Sequence, residues 1–408
     1  YLFGRLLEQK KNKALLYGAV ITALLPLLLC KYTSWSMVLP LGISYFTFKS
    51  IGYLADVYKG KINAEKDLIL LCSFISFFPE MLIGPIDRAK DLIPQLKEGR
   101  KPNTKEMEIG IFLLLGGYFE KMVVADRLGI IVNQVYGDLN AYGGIVIFLV
   151  IIAYSLQIYF DFAGCTYMAL GVGRIFGFYL PENFRQPYLA VSVEDFWRRW
   201  HLSLTSWLRD YVYIPLGGNR KSVVRKYFNV MAVFFVSGIW HGAGLNFIVW
   251  GALNGLFQII GTMLRKTKSK LYKICSIEES SRICIWWKRG WTFLWMTIAW
   301  VFFRSQSVGE AIFVFKRLFS SWNPWVLSDG TLYELGLSSK NVTLLLLLLI
   351  LMAIIEVLHE RKISLSKWVV EQNFIVKCVI SYITIFAVII FGIYGTTYDA
   401  GSFIYMQF

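Results

Sequence analysis

Histidine, proline and charged residues are scarce in this chain of 408 residues. It contains 3 His and 10 Pro, and only 17% of its residues are charged, whereas soluble domains carry about 25%. The 6 cysteines form no CxxC pair, which argues against a zinc or redox motif. Hydrophobic residues make up 56% of the chain and aromatic residues 17%. This balance excludes a disordered chain, a secreted disulfide scaffold and an ordinary cytosolic enzyme, and it indicates a multi-pass protein of the cell membrane.

The net charge of the chain is +15, because 42 Lys and Arg face 27 Asp and Glu. In a soluble protein this excess would suggest nucleic-acid binding. Here the basic residues cluster at the ends of apolar runs, as in Lys10–Lys13 and Arg265–Lys273, which is the pattern of cytoplasmic loops in membrane proteins. Aromatic residues are not interleaved with these clusters as a base-stacking surface would need. We therefore expect membrane lipids, and no nucleic acid, as partners.

Apolar runs recur along the whole chain. They are Ala14–Cys30, Trp35–Val57, Leu68–Ile86, Met107–Val124, Tyr142–Phe162, Tyr227–Trp240, Leu245–Leu264, Trp291–Phe303, Val342–Leu358 and Phe374–Tyr394. A spanning helix needs about 20 residues, and several runs are shorter or are interrupted by Pro, Gly or charge. The pattern predicts an all-α polytopic membrane protein, a single domain over residues 1–408, with about nine transmembrane helices plus re-entrant and interfacial helices.

The run Leu68–Ile86 lies between two basic segments, Lys59–Lys66 and Arg88–Lys101. A full crossing would place the second segment outside, against the preference of basic loops for the cytoplasm. Pro79 and Gly84 interrupt the run and suit backbone that turns within the membrane while buried in protein. We therefore expect a re-entrant hairpin here.

Asp161 lies near the end of an apolar run, where a carboxylate is unfavourable unless it is paired or faces water. Three interpretations remain open for this residue. It could lie at the cytoplasmic end of a helix, it could be the structural partner of an Arg or a backbone amide, or it could have a direct catalytic role.

Residues 192–210 predict an amphipathic helix that begins at the capping residue Ser192. Its aromatic residues recur at helical spacing, namely Phe196, Trp197, Trp200 and Trp207. A helix of this kind would lie in the membrane interface or line a wet cavity. Arg198 and Arg199 could attract an anionic donor. The following Gly217 and Gly218 are expected to form a tight turn rather than a phosphate-binding loop.

His241 follows the basic residue Lys226 by about 15 residues, which is roughly 22 Å along a helix and deep in the bilayer. An isolated histidine at that depth suggests a functional site, and a neutral imidazole is a competent general base for a hydroxyl. The alternative is a packed histidine bound to a backbone carbonyl. His359 sits at a helix end and is expected to be structural. With His201 these are the only histidines, so they offer no metal-ligand cluster.

Several motifs occur in a fixed order, and together they resemble the bacterial membrane-bound O-acyltransferases, in particular the polysaccharide O-acetyltransferase branch. The motifs are Gln157–Gly164, Pro181–Phe184, Phe196–His201, Arg209–Arg220 and Trp240–Gly242, with Pro40–Phe48, Phe77–Pro79, Gly84–Ile86 and Phe403–Phe408 also fitting. The resemblance runs from about Tyr1 to Phe408. Family members usually begin with one or two further helices, which we expect to be missing from this chain.

The resemblance implies a central tunnel that the donor, acetyl-CoA, reaches from the cytoplasm and the acceptor from outside. The acceptor would be a hydroxyl of a cell-surface glycan or of a secreted serine-hydrolase-like (SGNH-like) partner protein. His241 matches the catalytic histidine and His201 the second signature histidine. The expected substrate-binding residues are Arg198, Arg199, Asp161, Trp240 and Asn246, with no bound cofactor and no metal.

Two alternatives remain open. The piece Gly84–Arg88 also occurs in the D-alanyl transferase branch, which takes its acyl group from a carrier-protein thioester and passes it toward teichoic acid. A lipid or glycan transporter would also suit broken helices and buried polar residues. The chain shows no repeat symmetry, which counts against the transporter.

Overall fold

The computed structural model describes residues 1–32, 42–81 and 83–394 of the chain. The first part of the run Trp35–Val57, the start of the motif Pro40–Phe48 and the whole closing motif Phe403–Phe408 lie outside these residues. Within them the chain is helical and has no β-strand. The α-helices are α1 (Leu2–Gln9), α2 (Lys13–Tyr32), α3 (Ile43–Tyr58), α4 (Leu68–Ile75), α5 (Ala89–Glu98), α6 (Thr104–Tyr118), α7 (Asp126–Gly137), α8 (Gly144–Ile175), α9 (Val193–Trp197), α10 (Leu202–Leu208), α11 (Val223–His241), α12 (Leu245–Met263), α13 (Arg265–Ile274), α14 (Arg282–Arg304), α15 (Val308–Leu318), α16 (Ser339–Glu360), α17 (Leu365–Val370) and α18 (Phe374–Phe391).

Six helices of the described residues are long and apolar enough to cross a membrane, namely α2, α8, α11, α12, α16 and α18. The sequence predicts about nine. The other predicted crossings also fold as helices, but they are shorter or more charged: α3 has 16 residues, α6 has 15, and α14 contains Lys288 and Arg289. The all-α polytopic membrane class is confirmed.

The segment predicted as a re-entrant hairpin does not form one long helix. Helix α4 has 8 residues, or roughly 12 Å, and the chain then returns through a single helical turn at Phe78–Glu80 into α5. Lys97, near the end of α5, places its Nζ 2.6 Å from Oε2 of Glu65, which precedes α4. The two ends of the segment therefore lie side by side, which supports a path that enters and returns.

Helices α6 and α7 are joined without a break by a π-helical segment, Phe119–Ala125, that packs on α8. From this segment Lys121 places its Nζ 2.5 Å from Oδ1 of Asp126 and 2.7 Å from Oδ1 of Asp161. All three side chains are buried. Because α8 continues to Ile175, Asp161 lies inside the helix and not at its cytoplasmic end. Of the three interpretations of Asp161, its contacts agree with a structural ion pair, and the partner is a lysine.

Glycine pairs allow α6 and α8 to approach closely. A Cβ on Gly117 would lie 2.5 Å from the carbonyl oxygen of Gly164, and a Cβ on Gly110 would lie 2.7 Å from that of Gly171. Small residues at this spacing are typical of tightly packed membrane helices. The same contact holds Asp161 against Lys121 in the core.

Candidate active site

Residues 192–210 do not form the single helix that their sequence predicts. Ser192 caps α9 as expected, since its hydroxyl accepts a hydrogen bond from the amide of Asp195 at 3.1 Å. The helix ends at Trp197, however, and His201 adopts a left-handed backbone conformation with φ +44° before α10 begins. The amide of Leu202 donates to the carbonyl of Asn183 at 2.9 Å, so a distant segment holds this turn in place.

Most aromatic residues of this stretch are buried inside the protein, whereas the sequence predicted a helix at the membrane interface or along a wet cavity. Phe196, Trp200 and Trp207 are 0%, 1% and 5% exposed. Trp200 lies 5.0 Å from Trp300 of α14, measured between ring centroids, and Trp300 stacks on Trp250 of α12. The break at His201 turns these rings inward, where their burial stabilises the core around the two histidines.

The His201 ring is held through its Nδ1, which lies within hydrogen-bond distance of Asn183 and, less closely, of the Ser203 hydroxyl. Its Nδ1 lies 3.2 Å from Oδ1 of Asn183, and the same oxygen accepts hydrogen bonds from the amide and the hydroxyl of Ser203. Because that oxygen accepts, the network assigns the proton to Nδ1 and the lone pair to Nε2. Nε2 is buried and has no hydrogen-bond partner among the described residues. Burial also lowers the pKa of His201 to about 3, which keeps the ring neutral.

His241 is the last residue of α11 and is 4% exposed. Aromatic rings enclose its imidazole, with centroids at 4.5 Å for Trp240, 5.0 Å for Trp250 and 5.1 Å for Phe303. The chain beyond it, up to the first residue of α12, is not helical. His241 therefore lies where helix gives way to open backbone, at the far end of a span whose first residue is roughly 27 Å away.

The Trp240 ring lies close to both histidine rings, although the two histidines are distant in the sequence. Its ring lies 6.3 Å from the His201 ring and 4.5 Å from the His241 ring. Its indole Nε1 is buried and has no hydrogen-bond partner in the described part of the chain. An unpaired donor between two imidazoles is suited to bind an acceptor atom of a substrate.

Asn246, by contrast, forms hydrogen bonds that stabilise the fold. Its side-chain nitrogen donates to the carbonyl of Ser305 at 2.8 Å and to that of Phe302 at 3.3 Å. These carbonyls lie at the end of α14, where helical carbonyls need outside partners. These hydrogen bonds support a structural role, and neither of them joins Asn246 to a histidine.

Arg198 and Arg199 differ in their surroundings. Arg198 is exposed and pairs with Glu194, whereas Arg199 is partly buried and binds Asp195 and, at 2.7 Å, Glu360 of α16. Both residues line a cavity of about 850 Å³. Glu194 also pairs with Arg265 of the basic α13, so this end of the protein carries the positive charge expected of a cytoplasmic face.

The cavity leads from this basic rim to Asn183, the residue that binds His201. Apolar side chains of α6 form one wall, among them Phe112 and Leu113. Deeper polar atoms have no hydrogen-bond partner among the described residues, namely Glu120 Oε2, Thr166 Oγ1 and Asn183 Nδ2. Such a cavity can hold a ligand with an anionic end and a polar, flexible arm.

Asn183 and Lys31 are site residues that sequence reasoning missed. Asn183 lies inside the motif Pro181–Phe184, which could have indicated it, but nothing in the sequence pairs it with His201. Lys31 donates a hydrogen bond to the carbonyl of Trp240. It ends an apolar run like any flanking lysine, so only the folded chain reveals the contact.

The sequence pattern that defines the MBOAT, membrane-bound O-acyltransferase family, matches residues 66–305. The chain belongs to this family. The matched region contains both site histidines and the carboxylate Asp161.

Curated relatives are identical to this membrane-bound O-acyltransferase at about a third of the aligned positions. The probable alginate O-acetylase AlgI of Pseudomonas syringae pv. tomato is 38% identical over 293 residues, which cover 72% of this chain and 54% of that protein. The peptidoglycan O-acetyltransferase of Helicobacter pylori is 34% identical over 308 residues, covering 69% and 57%. The chain thus spans little more than half the length of these relatives.

A third relative belongs to the other acyl-transfer branch. The teichoic acid D-alanyltransferase of Bacillus subtilis is 31% identical over 299 residues, covering 64% of this chain and 72% of that protein. The two O-acetyl relatives share more residues with this chain than the D-alanyl relative does.

Proposed function

We propose that this acyltransferase moves an acetyl group from cytoplasmic acetyl-CoA to a hydroxyl group outside the membrane. The acceptor would be a cell-surface polysaccharide or an SGNH-like partner protein. The observation that carries the proposal is the buried aromatic enclosure in which the Trp240 ring lies close to the rings of both His201 and His241. The names of the O-acetyl relatives support acetyl as the acyl group.

In the proposed reaction His241 is the general base. Its imidazole takes the proton of the acceptor hydroxyl while that oxygen attacks the thioester carbonyl. The new C–O bond forms, the C–S bond breaks, and the leaving thiolate takes the proton from the imidazolium. A general base of this kind contributes about 10²- to 10⁴-fold in rate, and the aromatic walls exclude water that would hydrolyse the thioester.

His201 would orient the donor rather than transfer the proton. Asn183 fixes its tautomer, so Nε2 presents a lone pair to a donor group such as an amide N–H. The cavity beyond Asn183 has the features that an anionic thioester needs: a basic rim, an apolar wall and unpaired polar atoms. Arg198, the more exposed of the two arginines, would attract the phosphates of the donor.

The decisive experiment measures transfer from labelled acetyl-CoA in reconstituted membranes. We expect His241→Ala and the nearly isosteric His241→Gln to lose transfer while the purified variants keep the thermal stability of the unchanged protein. Full transfer by His241→Ala would contradict the proposal.

The acyl group is tested by offering two donors to one preparation, acetyl-CoA and a D-alanyl carrier-protein thioester. We expect turnover with acetyl-CoA alone, and turnover only with the carrier thioester would move the protein to the D-alanyl branch. Net flux of glycan or lipid without any covalent product would instead indicate a transporter.

A further inference from the structure

The end of α2 contacts the end of α11 beside His241. The Lys31 ammonium donates a hydrogen bond to the carbonyl of Trp240. The hydroxyl of the next residue, Tyr32, donates to the carbonyl of Ile239 at 2.6 Å and lies 3.5 Å from that of Gly242. Two neighbouring side chains of one helix therefore bind the carbonyls of the two residues that precede the histidine.

These carbonyls need partners because α11 ends at His241. The last carbonyls of a helix have no intrahelical donor, and they form the negative end of the helix dipole. A lysine ammonium satisfies both requirements, and the tyrosine hydroxyl adds a second donor. Fixing the peptide group that joins Trp240 to His241 also restrains the direction of the His241 side chain.

The other side of His241 is held just as closely. A Cβ added to Gly242 would lie 2.0 Å from the ring of Phe247, so the chain after the histidine packs directly on α12. The backbone of His241 is thus confined between the end of α2 and the start of α12. A displacement of about 1 Å at a catalytic group can reduce the rate about 10²-fold, so this confinement matters for catalysis.

The Lys31 ammonium contacts a backbone carbonyl and not a carboxylate, and that carbonyl belongs to the residue directly before His241. In the proposed reaction, negative charge develops on the thioester oxygen as the hydroxyl attacks. A fixed cation near that oxygen stabilises the transition state more than the ground state.

We propose that Lys31 and Tyr32 are positioning residues for His241, acting as a clamp on the peptide groups that precede it. The inference rests on the proposed function of His241 as the base. The clamp holds the imidazole at the reacting centre, and the ammonium adds positive charge there.

The test compares Lys31→Met, Lys31→Arg and Tyr32→Phe in the full chain, in reconstituted membranes, with labelled acetyl-CoA. Lys13→Met, at the exposed start of the same helix, is the matched control. We expect Lys31→Met to reduce kcat at least about tenfold while KM for acetyl-CoA changes less than about twofold, because the loss concerns the transition state. Lys31→Arg should restore most of the rate, Tyr32→Phe should reduce kcat by a smaller factor, and Lys13→Met should behave as the unchanged protein.

Unchanged kcat in Lys31→Met would overturn the clamp, and so would a Lys31→Arg variant as slow as Lys31→Met at equal thermal stability. If Lys31→Met does not fold, Tyr32→Phe decides, because it removes only one hydroxyl; an unchanged kcat there overturns the clamp as well. An active His241→Ala variant would contradict the proposed function itself. An inactive His241→Ala with a normal Lys31→Met would contradict the clamp alone.

Discussion

Asn183 Oδ1 lies 3.2 Å from Nδ1 of His201 and also accepts both hydrogen bonds from Ser203. One amide oxygen thereby fixes the orientation of the imidazole, its tautomer and the start of α10. The residue that controls the second histidine is thus an uncharged amide from a distant loop.

We expect Asn183→Ala to be more damaging than Ser203→Ala. The first change leaves buried donors on His201 and Ser203 without an acceptor, which costs about 1–3 kcal/mol each, whereas the second removes one hydrogen bond of about 1 kcal/mol. Thermal unfolding in detergent and acetyl transfer measure the two effects. Equal loss in both variants would show that the amide oxygen does not organise the site.

His201 should make the stability of the protein dependent on pH. Burial lowers the pKa of its ring to about 3, and the unfolded ring has a pKa of about 6.5. Between these values the unfolded state binds a proton that the folded state does not, so stability falls as the pH drops below about 6.5, by about 1 kcal/mol per pH unit. His201→Gln should lose less stability between pH 7 and pH 5 than the unchanged protein. Parallel unfolding curves of the two proteins over that range would contradict the buried neutral histidine.

The sequence predicted the helical membrane class, because hydropathy is a local signal, and it singled out His241 as an isolated polar residue deep in an apolar run. It failed at residues 192–210, where aromatic periodicity indicated one amphipathic helix and the structure has two short helices. The left-handed turn at His201 depends on Asn183, and such a contact cannot be read from spacing. The sequence left the ion-pair partner of Asp161 undetermined for the same reason, since Lys121 lies in a different helical segment.

The contrast between Gly116 and Gly117 tests the packing of α6 on α8. A Cβ on Gly117 would lie 2.5 Å from the carbonyl oxygen of Gly164, whereas a Cβ on Gly116 would meet nothing within 4 Å. Gly116→Ala should therefore be neutral or stabilise the helix by up to about 1 kcal/mol. Gly117→Ala should destabilise the protein by about 1–3 kcal/mol, as overpacking does. Thermal unfolding compares the pair, and equal behaviour would refute the close contact.

The buried ion pairs of Lys121 with Asp126 and Asp161 allow a second comparison of two variants. Lys121→Met leaves Asp126 and Asp161 without their lysine, and removing one partner of a buried pair typically costs about 3–5 kcal/mol. Asp161→Asn removes one carboxylate but leaves the pair of Lys121 with Asp126, so we expect a smaller loss. Yield and thermal stability of the purified variants rank them, and a larger loss in Asp161→Asn would point to a role for Asp161 beyond this pair.

Substitutions of the adjacent residues Arg198 and Arg199 should separate an effect on donor binding from an effect on stability. Arg198 is largely exposed and, within the part of the chain that the structure describes, pairs only with Glu194 of its own helical turn, so Arg198→Ala should keep the thermal stability. If it attracts the donor phosphates, KM for acetyl-CoA should rise about threefold to tenfold with little change in kcat, and the effect should shrink at high salt because exposed charges are screened. Arg199 also binds Glu360, so Arg199→Ala should in addition lower the stability, since the turn after α9 then loses its ion pair to α16. An unchanged KM in Arg198→Ala at low salt would show that this residue does not bind the donor. Donor binding would then depend on the apolar wall and the deeper polar atoms of the cavity.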